Sequence, residues 1–364
     1  MRIFGLLKST SVPFPKNIRG LTSLRFFAAL AIVVFHFIYE VDTLREAFWG
    51  RLYLGVDFFF ILSGFILTHS YIQPIEKGSF SAKNFYIKRL ARIYPVHIVT
   101  LMGSALTTLT TIYVLKGYYF DPGDSVKCFF YSLVLLQAWG MYPHLCFDDP
   151  SWSISAEWFA YLLFPLLAGW AVKKSPWTVI SLSSLGFLIL FVLFTFLGKQ
   201  LTELTTLGFA RITPEFALGM GLYQLGRKYT LKVSAKAFLV ILIAGIVACL
   251  SLNINDAVIV FLLGGIIFTV ADMARKEIKT FLDQDIMVYW GEASYALYML
   301  HYIIWESFPV IVLMRKFDGS KMFDIWFFAS WPVALFLSLL LSHFTYAYFE
   351  RPVRFWICRK FIRK

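Results

Sequence analysis

Apolar residues in this chain fall into long runs that short polar segments interrupt. A run of about 20 apolar residues is long enough to cross the hydrocarbon core of a bilayer as a helix. The pattern therefore predicts an all-α integral membrane protein with about ten transmembrane helices. The runs are 20–40, 52–72, 93–115, 152–172, 177–197, 207–224, 237–252, 257–272, 288–313 and 324–347.

A shorter apolar run at 126–140 departs from this pattern. The polar turn 121–124 precedes it, and Pro143 and the acidic segment 148–150 follow it. We interpret this run as a re-entrant or interfacial segment because it is too short for a span and has polar turns on both sides. Ten crossings then place both termini on the same side of the membrane.

The distribution of positive charge indicates which side that is. With the N-terminus in the cytoplasm, cytoplasmic segments hold about three times as many Lys and Arg residues as the outer loops do. Such an excess is the usual sign of cytoplasmic loops. A full crossing at 126–140 would invert every later loop and remove the excess. We therefore predict that both termini are cytoplasmic.

Composition supports the membrane assignment and excludes several other classes of protein. The chain has 364 residues, of which 59% are apolar and 15% charged, whereas soluble chains are about half apolar and a quarter charged. Disordered proteins, coiled coils and disulfide-rich secreted scaffolds do not have this composition. The net charge of +12 lies in short segments between apolar runs, so we expect membrane lipids as partners and no nucleic acid.

No linker or low-complexity tract divides the chain. We therefore predict a cytoplasmic N-terminal segment at 1–19, a single membrane domain at 20–350 and a basic cytoplasmic tail at 351–364. The first segment lacks the apolar core of a cleavable signal peptide. The sequence says nothing about the oligomeric state.

Ionisable residues inside membrane spans are costly and usually functional. Arg25 and His36 lie on the first predicted span and are eleven residues apart, which puts them on one face of a helix, roughly 16 Å apart. Arg25 lies in the cytoplasmic part of the span and His36 in the outer part. The alternatives are that Arg25 reaches the lipid headgroups and that His36 bonds to a neighbouring helix.

Asp57 and Glu157 lie about five residues from the outer ends of their spans, which is the predicted depth of His36. A carboxylate that bonds to one imidazole nitrogen leaves the other nitrogen free to take a proton. We therefore predict a general base, His36, oriented by Asp57 or Glu157. Arg211 lies at a similar depth, so the alternative is a structural ion network between Arg211 and one of these carboxylates.

Arg89 and Arg92 form an R-x-x-R pair at the cytoplasmic boundary of a span. Residues three apart share a helix face, and guanidinium groups bind phosphate well. The alternative is ordinary positive charge at a membrane boundary or binding of lipid headgroups.

The remaining signals are weaker. Trp152 lies at the start of a span, where it could anchor the helix at the membrane interface. Tyr298 and His301 are three residues apart on a later span, where a polar role facing the bundle interior is an alternative to a catalytic one. The sequence has no HExxH, CxxC, Walker A or GxGxxG pattern, so we expect no metal and no nucleotide-hydrolysing site. Cys128 and Cys146 both fall in the outer segment, where they can pair if that side is oxidising, but their spacing does not decide whether they do.

Seven segments follow one another along the chain: Arg25 with His36, GVDFFFILSGF at 55–65, Arg89 with Arg92, SWSISAEWFAYLLFP at 151–165, RITPEFALGMG at 211–221, SYALYMLH at 294–301 and YFERP at 348–352. Together they resemble the acyltransferase-3 family of integral membrane acyltransferases. The resemblance covers about residues 20–355. Thr22 differs from many members, which have Asp there, and the chain resembles members without a C-terminal soluble hydrolase-like domain.

The resemblance implies transfer of an acyl group, usually acetyl, from cytoplasmic acyl-CoA to a hydroxyl of a cell-surface glycan or lipid-linked saccharide, in a bacterial inner membrane. It also implies that His36 is catalytic and that Arg25, Arg89 and Arg92 serve the donor. A transient acyl-His36 intermediate is an alternative to direct transfer. For the oxyanion or the substrate, we consider Arg211, Trp152, Tyr298 and His301.

Two other classes of function fit a polytopic chain with buried charges. One is a transporter or flippase, although we find no repeat symmetry of the kind that transporters often show. The other is a structural membrane subunit. Dependence on acyl-CoA separates the enzyme from both.

Overall fold

The computed structural model describes residues 5–38, 48–113, 125–197, 204–307 and 321–362. Each of the ten predicted apolar runs overlaps one long helix in these stretches. In chain order the helices are α1 (Arg19–Ile38), α2 (Gly55–Glu76), α3 (Ala82–Tyr113), α4 (Val126–Leu133), α5 (Trp152–Ala171), α6 (Pro176–Phe196), α7 (Gly208–Lys228), α8 (Ala235–Ser251), α9 (Asp256–Arg275), α10 (Asp285–Ser307), α11 (Lys321–Phe344) and α12 (Arg351–Phe361).

Within the described ranges, seven helical segments are long and apolar enough to cross a membrane. They confirm the all-α membrane fold, whereas the number of crossings and the side on which the termini lie remain predictions. The seven are Arg19–Ile38, Phe48–Glu76, Ala82–Thr110, Asp149–Ala171, Pro176–Phe196, Asp256–Arg275 and Ser330–Phe361.

Helices differ in how much of their surface the protein covers. In the most apolar 18 residues of the segment that contains α2, Phe48–Glu76, 67% of the stretch is buried inside the protein. In the corresponding stretch of α6 only 17% is buried. The apolar side chains that α6 exposes, such as Leu185, Ile189 and Val192, suit contact with lipid. Helix α2 is therefore central and α6 peripheral.

Helices α1 and α10 pack closely and run in the same direction. A Cβ atom on Gly291 would lie 1.9 Å from the Thr22 carbonyl oxygen, so only glycine permits this approach. A second contact, between His36 of α1 and His301 of α10, lies C-terminal to the first on both helices, so the two helices are parallel. This common direction agrees with the expectation that 126–140 is not a crossing, because an added crossing would reverse α10.

A second close approach joins α2 to α7. A Cβ on Gly64 would lie 1.9 Å from the Phe216 carbonyl oxygen, and a Cβ on Gly219 would lie 1.9 Å from the Ile61 carbonyl oxygen. Small residues at such crossings let helix backbones approach in membranes. The crossing holds Asp57 of α2 beside Arg211 of α7.

The predicted re-entrant or interfacial run contains only the short helix α4. Eight residues rise about 12 Å, which is too short to span a bilayer. Ser125 caps the helix by accepting a hydrogen bond from the Cys128 amide at 3.2 Å. Cys128 and Cys146 form a disulfide with a Cα–Cα distance of 6.3 Å, which answers the question of pairing that the sequence left open.

The N-terminal segment contributes a strand that the sequence pattern did not predict. Strand β1 (Leu7–Ser9) pairs antiparallel with β2 (Tyr229–Leu231) just after α7. Arg275 donates to the carbonyl oxygens of Gly226 at 2.6 Å and Val12 at 3.4 Å, which ties the segment to α7 and α9. The predicted domain boundaries remain predictions.

Candidate active site

A cavity of about 140 Å³ lies between α1, α2, α3, α5 and α10. It gathers the three arginines to which the family resemblance gives a role in donor binding, Arg25, Arg89 and Arg92, and it also contains Glu157. Apolar walls complete it, among them Phe59 and other residues of α2. A mostly apolar pocket with a few convergent charged groups is the usual form of a small-molecule site.

Arg92 enters the cavity as one half of an ion pair. Its guanidinium donates to the carboxylate of Glu350, which is fully buried. The Arg92 charge also lies 5.6 Å from the ring centre of Tyr295. Glu350 belongs to the YFERP segment at 348–352, in which the sequence pattern indicated no role for a single residue, so this carboxylate was missed.

Arg89 is held differently, by aromatic faces. Its guanidinium carbon lies 6.0 Å from the ring centre of Tyr71, 5.9 Å from that of Phe85 and 5.8 Å from that of Tyr161. Its Nε is buried and has no hydrogen-bond partner in the part of the chain that the structure describes. Cation–π contacts orient such a group and leave its Nε–H available to an anion.

Arg25 and Glu157 occupy the same cavity. Arg25 lies within electrostatic range of Arg92, Glu157 and Glu350. Glu157 accepts a hydrogen bond from the Ser63 hydroxyl. The lining of the cavity therefore carries three positive charges and one negative charge, and its net positive charge favours an anion.

The prediction that Asp57 or Glu157 orients His36 is wrong in this structure. Glu157 lies among the arginines, and Asp57 is occupied by Arg211. Asp149 is the carboxylate that comes near His36 in the described ranges, with Oδ2 3.9 Å from Nε2. Depth along the membrane was predicted from residue counts, but counts do not say in which direction around a helix a side chain points.

Asp57 and Arg211 form a buried ion pair, which is the structural alternative raised from the sequence. Arg211 Nε donates to Asp57 Oδ1 at 3.1 Å, and Nη2 donates to Oδ2 at 2.5 Å. The guanidinium lies 5.4 Å from the Trp152 ring centre and 5.6 Å from that of Tyr53. None of these four residues lines the cavity, so Arg211 and Trp152 are not placed to hold an oxyanion there.

The predicted candidates Tyr298 and His301 do lie together, next to His36. Tyr298 lines the cavity, and its hydroxyl donates to the Pro150 carbonyl at 2.9 Å and lies 2.7 Å from the Ser153 hydroxyl. The Tyr298 carbonyl accepts from His301 Nδ1 at 2.7 Å. Tyr298 therefore connects the cavity to the histidines.

His36 and His301 contact each other directly. His301 Nε2 lies 3.1 Å from His36 Nδ1, which is also 2.9 Å from the Ile32 carbonyl oxygen. His301 is fully buried, whereas 15% of the His36 side chain is exposed. His36 is thus the more accessible of the two histidines.

Asp149 was missed because residues 148–150 read in the sequence only as a polar turn. The available signal was an acidic pair directly before the outer end of the predicted span 152–172, on the side of the membrane toward which His36 lies. The disulfide of Cys146 with Cys128 holds the chain three residues before Asp149. It therefore restricts the position of the segment that carries this carboxylate.

Residues 18–347 match the acyltransferase-3 family, described as an acyltransferase domain. The chain is similar to the acyltransferase MdmB of Streptomyces mycarofaciens, with 27% identity over 321 residues, or 80% of each chain. It is 24% identical to the O-acetyltransferase OatA of Staphylococcus aureus over an alignment that covers 93% of this chain but 58% of OatA. No solved structure matches the chain significantly. On the family match, this chain belongs to the acyltransferase-3 family.

Proposed function

We propose that this protein transfers an acyl group, acetyl in the simplest case, from acyl-CoA to a hydroxyl of a cell-surface or exported glycan. The relatives support O-acyl transfer, because one is named an acyltransferase and another an O-acetyltransferase. The observation that carries the proposal is a single layout: three arginines line one cavity, and Tyr298 links its wall to the His36–His301 pair.

The donor fits this layout by its charge and its shape. CoA has a phosphate-rich head and a long, thin arm that ends in the thioester. Arg89 is oriented by three aromatic rings and has a buried Nε–H to donate, which suits a phosphate oxygen. A cavity of about 140 Å³ is too small for a whole cofactor, whose sites are typically about 300–1,000 Å³. We therefore propose that the cavity holds the pantetheine arm of CoA and that the phosphate-rich head lies at the cytoplasmic end of the cavity.

The chemistry then takes place at His36. Its Nε2 takes the proton of the acceptor hydroxyl, and the oxygen attacks the thioester carbonyl carbon. The carbon–sulfur bond of the tetrahedral intermediate breaks, and the proton passes from Nε2 to the leaving thiolate to give free CoA. Asp149, with Oδ2 3.9 Å from Nε2, stabilises the imidazolium that forms between these steps.

Of the four residues considered for the oxyanion, Tyr298 is the one that lines the cavity. Tyr298 lies in the wall of the cavity, and Ser153 beside it can take part in the same hydrogen bonds. A hydroxyl that already donates to the Pro150 carbonyl must rotate to donate to an oxyanion. Transfer through an acyl-His36 intermediate uses the same residues and remains the alternative to direct attack.

The membrane orientation is part of the proposal. Disulfides persist on the outer, oxidising side of a bacterial inner membrane and are rare in the cytoplasm. The Cys128–Cys146 bond therefore supports an outer location for the segment that carries Asp149. This agrees with the distribution of Lys and Arg, which puts both termini in the cytoplasm.

The test uses detergent-purified protein, acetyl-CoA and a crude surface-glycan extract. We expect wild type to release free CoA thiol and to acetylate the extract, and we expect His36→Ala to lose both activities. His144→Ala is the matched control, because His144 is exposed and lies outside the cavity.

An active His36→Ala variant would overturn the assignment of the base. Wild type that neither binds CoA nor releases thiol from any acyl-CoA would favour the transporter or flippase. Release of thiol without acylation of the extract would retain the donor and reject the glycan acceptor.

A further inference from the structure

His301 can carry its proton on only one nitrogen. Its Nδ1 lies 2.7 Å from the carbonyl oxygen of Tyr298. A carbonyl oxygen only accepts hydrogen bonds, so Nδ1 is the donor. In a neutral imidazole the other nitrogen, Nε2, then has a lone pair and no proton.

The neutral form of His301 is favoured by its surroundings. The ring is fully buried, and an unpaired charge is costly in such a site. The group that its Nε2 meets is another imidazole, that of His36 at 3.1 Å, which gives no compensating negative charge. His301 Nε2 therefore acts as an acceptor.

The proton on His36 is fixed by these same contacts. Its Nδ1 lies 2.9 Å from the Ile32 carbonyl and 3.1 Å from His301 Nε2. Both partners accept, so Nδ1 must donate. His36 Nε2 is then the unprotonated nitrogen, and it lies on the side of Asp149.

We propose that His301 is a positioning residue that holds His36 in the tautomer with the proton on Nδ1, so that Nε2 is the base. This inference rests on the proposed role of His36 and extends it by one residue. Holding the correct tautomer is a known requirement of histidine bases, since in the serine-protease triad the wrong tautomer costs about 10⁴ in kcat.

The Ile32 carbonyl does not make His301 unnecessary. Ile32 and His36 are four residues apart in α1, so this carbonyl is also the regular acceptor of the His36 backbone amide. It is therefore a shared acceptor and does not define the direction of the ring alone. His301 comes from another helix and has a free lone pair for His36.

A pair of substitutions separates positioning from direct proton transfer. In His301→Gln, the amide oxygen can lie near the former Nε2 and accept from His36 Nδ1, although an amide does not take a proton at neutral pH. His301→Leu removes the acceptor and keeps an apolar side chain in the buried position. We expect kcat to fall roughly 100-fold in the Leu variant and less than about 10-fold in the Gln variant, with KM for acetyl-CoA unchanged in both.

Equal loss of kcat in the Gln and Leu variants would overturn the proposal in favour of proton transfer by His301 itself, provided that both variants still bind CoA. Unchanged kcat in both would show that the Ile32 carbonyl suffices, and would also overturn it.

A measurement on wild type avoids the risk that a variant fails to fold. The ¹⁵N spectrum of histidine-labelled protein distinguishes protonated from unprotonated ring nitrogens, and loss of signals in His36→Ala identifies those of His36. We expect the proton of neutral His36 on Nδ1, and a proton on Nε2 would overturn the proposal. Because this result does not depend on activity, it is separate from failure of the proposed acyl transfer.

Discussion

Two groups of buried charges lie in this membrane domain, and they differ in how completely each charge is paired. In the Asp57–Arg211 pair, the side chains are 0% and 1% exposed, and two hydrogen bonds join them. In the cavity, Arg89 is held by aromatic rings and retains a buried Nε without a hydrogen-bond partner in the described ranges. In the sequence, Asp57 and Arg211 stood out as costly residues within spans, whereas Arg89 stood out as part of an R-x-x-R pair at a span boundary.

The difference shows that burial of a charge in a membrane does not by itself locate a binding site. A paired charge against a packed neighbour stabilises a helix crossing, as Arg211 does between α2 and α7. A charge with spare donors beside empty space can accept a ligand. Arg92 lies between these cases, because it lines the cavity and is also paired with buried Glu350.

The largest effect on stability is expected when the buried Asp57–Arg211 ion pair is broken. Arg211→Leu leaves the Asp57 carboxylate buried without its partner, which costs about 3–5 kcal/mol of unfolding free energy. We expect a lower midpoint of thermal unfolding in detergent and a smaller yield of monodisperse protein. Arg25→Leu, in the cavity, is the control and should melt close to wild type.

The triple variant Asp57→Leu/Arg211→Leu/Glu215→Leu sharpens this test. Buried Glu215 has a carboxylate oxygen 4.0 Å from Arg211 Nε, so all three residues must be replaced to leave no buried charge. Replacing the partners of a buried ion pair by apolar residues is often neutral for stability, so the triple variant should recover much of the loss. A single Arg211→Leu variant that melts like wild type would contradict the distinction between the two groups of charges.

An intermediate effect on stability is expected for Arg92, since it is paired with buried Glu350 and also lines the cavity. Arg92→Ala should lower the melting temperature, because Glu350 is left buried with its charge, and it should also weaken binding of acetyl-CoA. Adding Glu350→Gln removes that charge. We expect the double variant to regain the melting temperature but not the affinity, as measured by thermal unfolding and equilibrium binding.

If the double variant regained both, Arg92 would have only a structural role. If it regained neither, Glu350 would have a function beyond compensating Arg92. Either result would contradict the assignment of Arg92 to both a structural ion pair and the ligand-binding cavity.

The smallest effect on stability is expected for Arg89. Arg89→Ala removes cation–π contacts worth about 0.5–2 kcal/mol, yet it should raise the Kd for acetyl-CoA about tenfold or more, which corresponds to about 1.4 kcal/mol. The Kd of Arg89→Lys should lie between those of wild type and Arg89→Ala, since an ammonium keeps the charge but lacks the planar fork of donors. An unchanged Kd in both variants would leave Arg89 as ordinary boundary charge.

The sequence predicted much of the fold because the bilayer requires each span to be a long apolar helix, which is easy to recognise in a sequence. Each span must bury its backbone polar groups in a helix and present apolar side chains to lipid, so the ten runs could be read directly, and each overlaps a long helix of the described chain. The same reasoning identified 126–140 as too short to cross. It did not predict strand β1, because its three residues pair with β2 more than 200 positions away.

Within the candidate site, the sequence by itself determined which side chains are chemically able to act: Arg89 and Arg92 can bind an anion and His36 can be a base, and the family resemblance adds Arg25 to the predicted anion binders. Only the tertiary structure decided how these groups are paired. It assigned Arg211 to Asp57, Arg92 to Glu350, and His301 and Asp149 to His36.

The physical reason is that residue spacing gives depth in the membrane, whereas pairing depends on the rotation of each helix and on its neighbours. Those are decided by contacts between residues far apart in the chain, such as Gly64 with Phe216 and Gly291 with Thr22. Asp57, Glu157 and His36 were predicted at one depth, yet packing directs them to three different partners. Residue counts therefore predict the depth of a side chain along its span, but they do not predict the direction in which that side chain points around the helix.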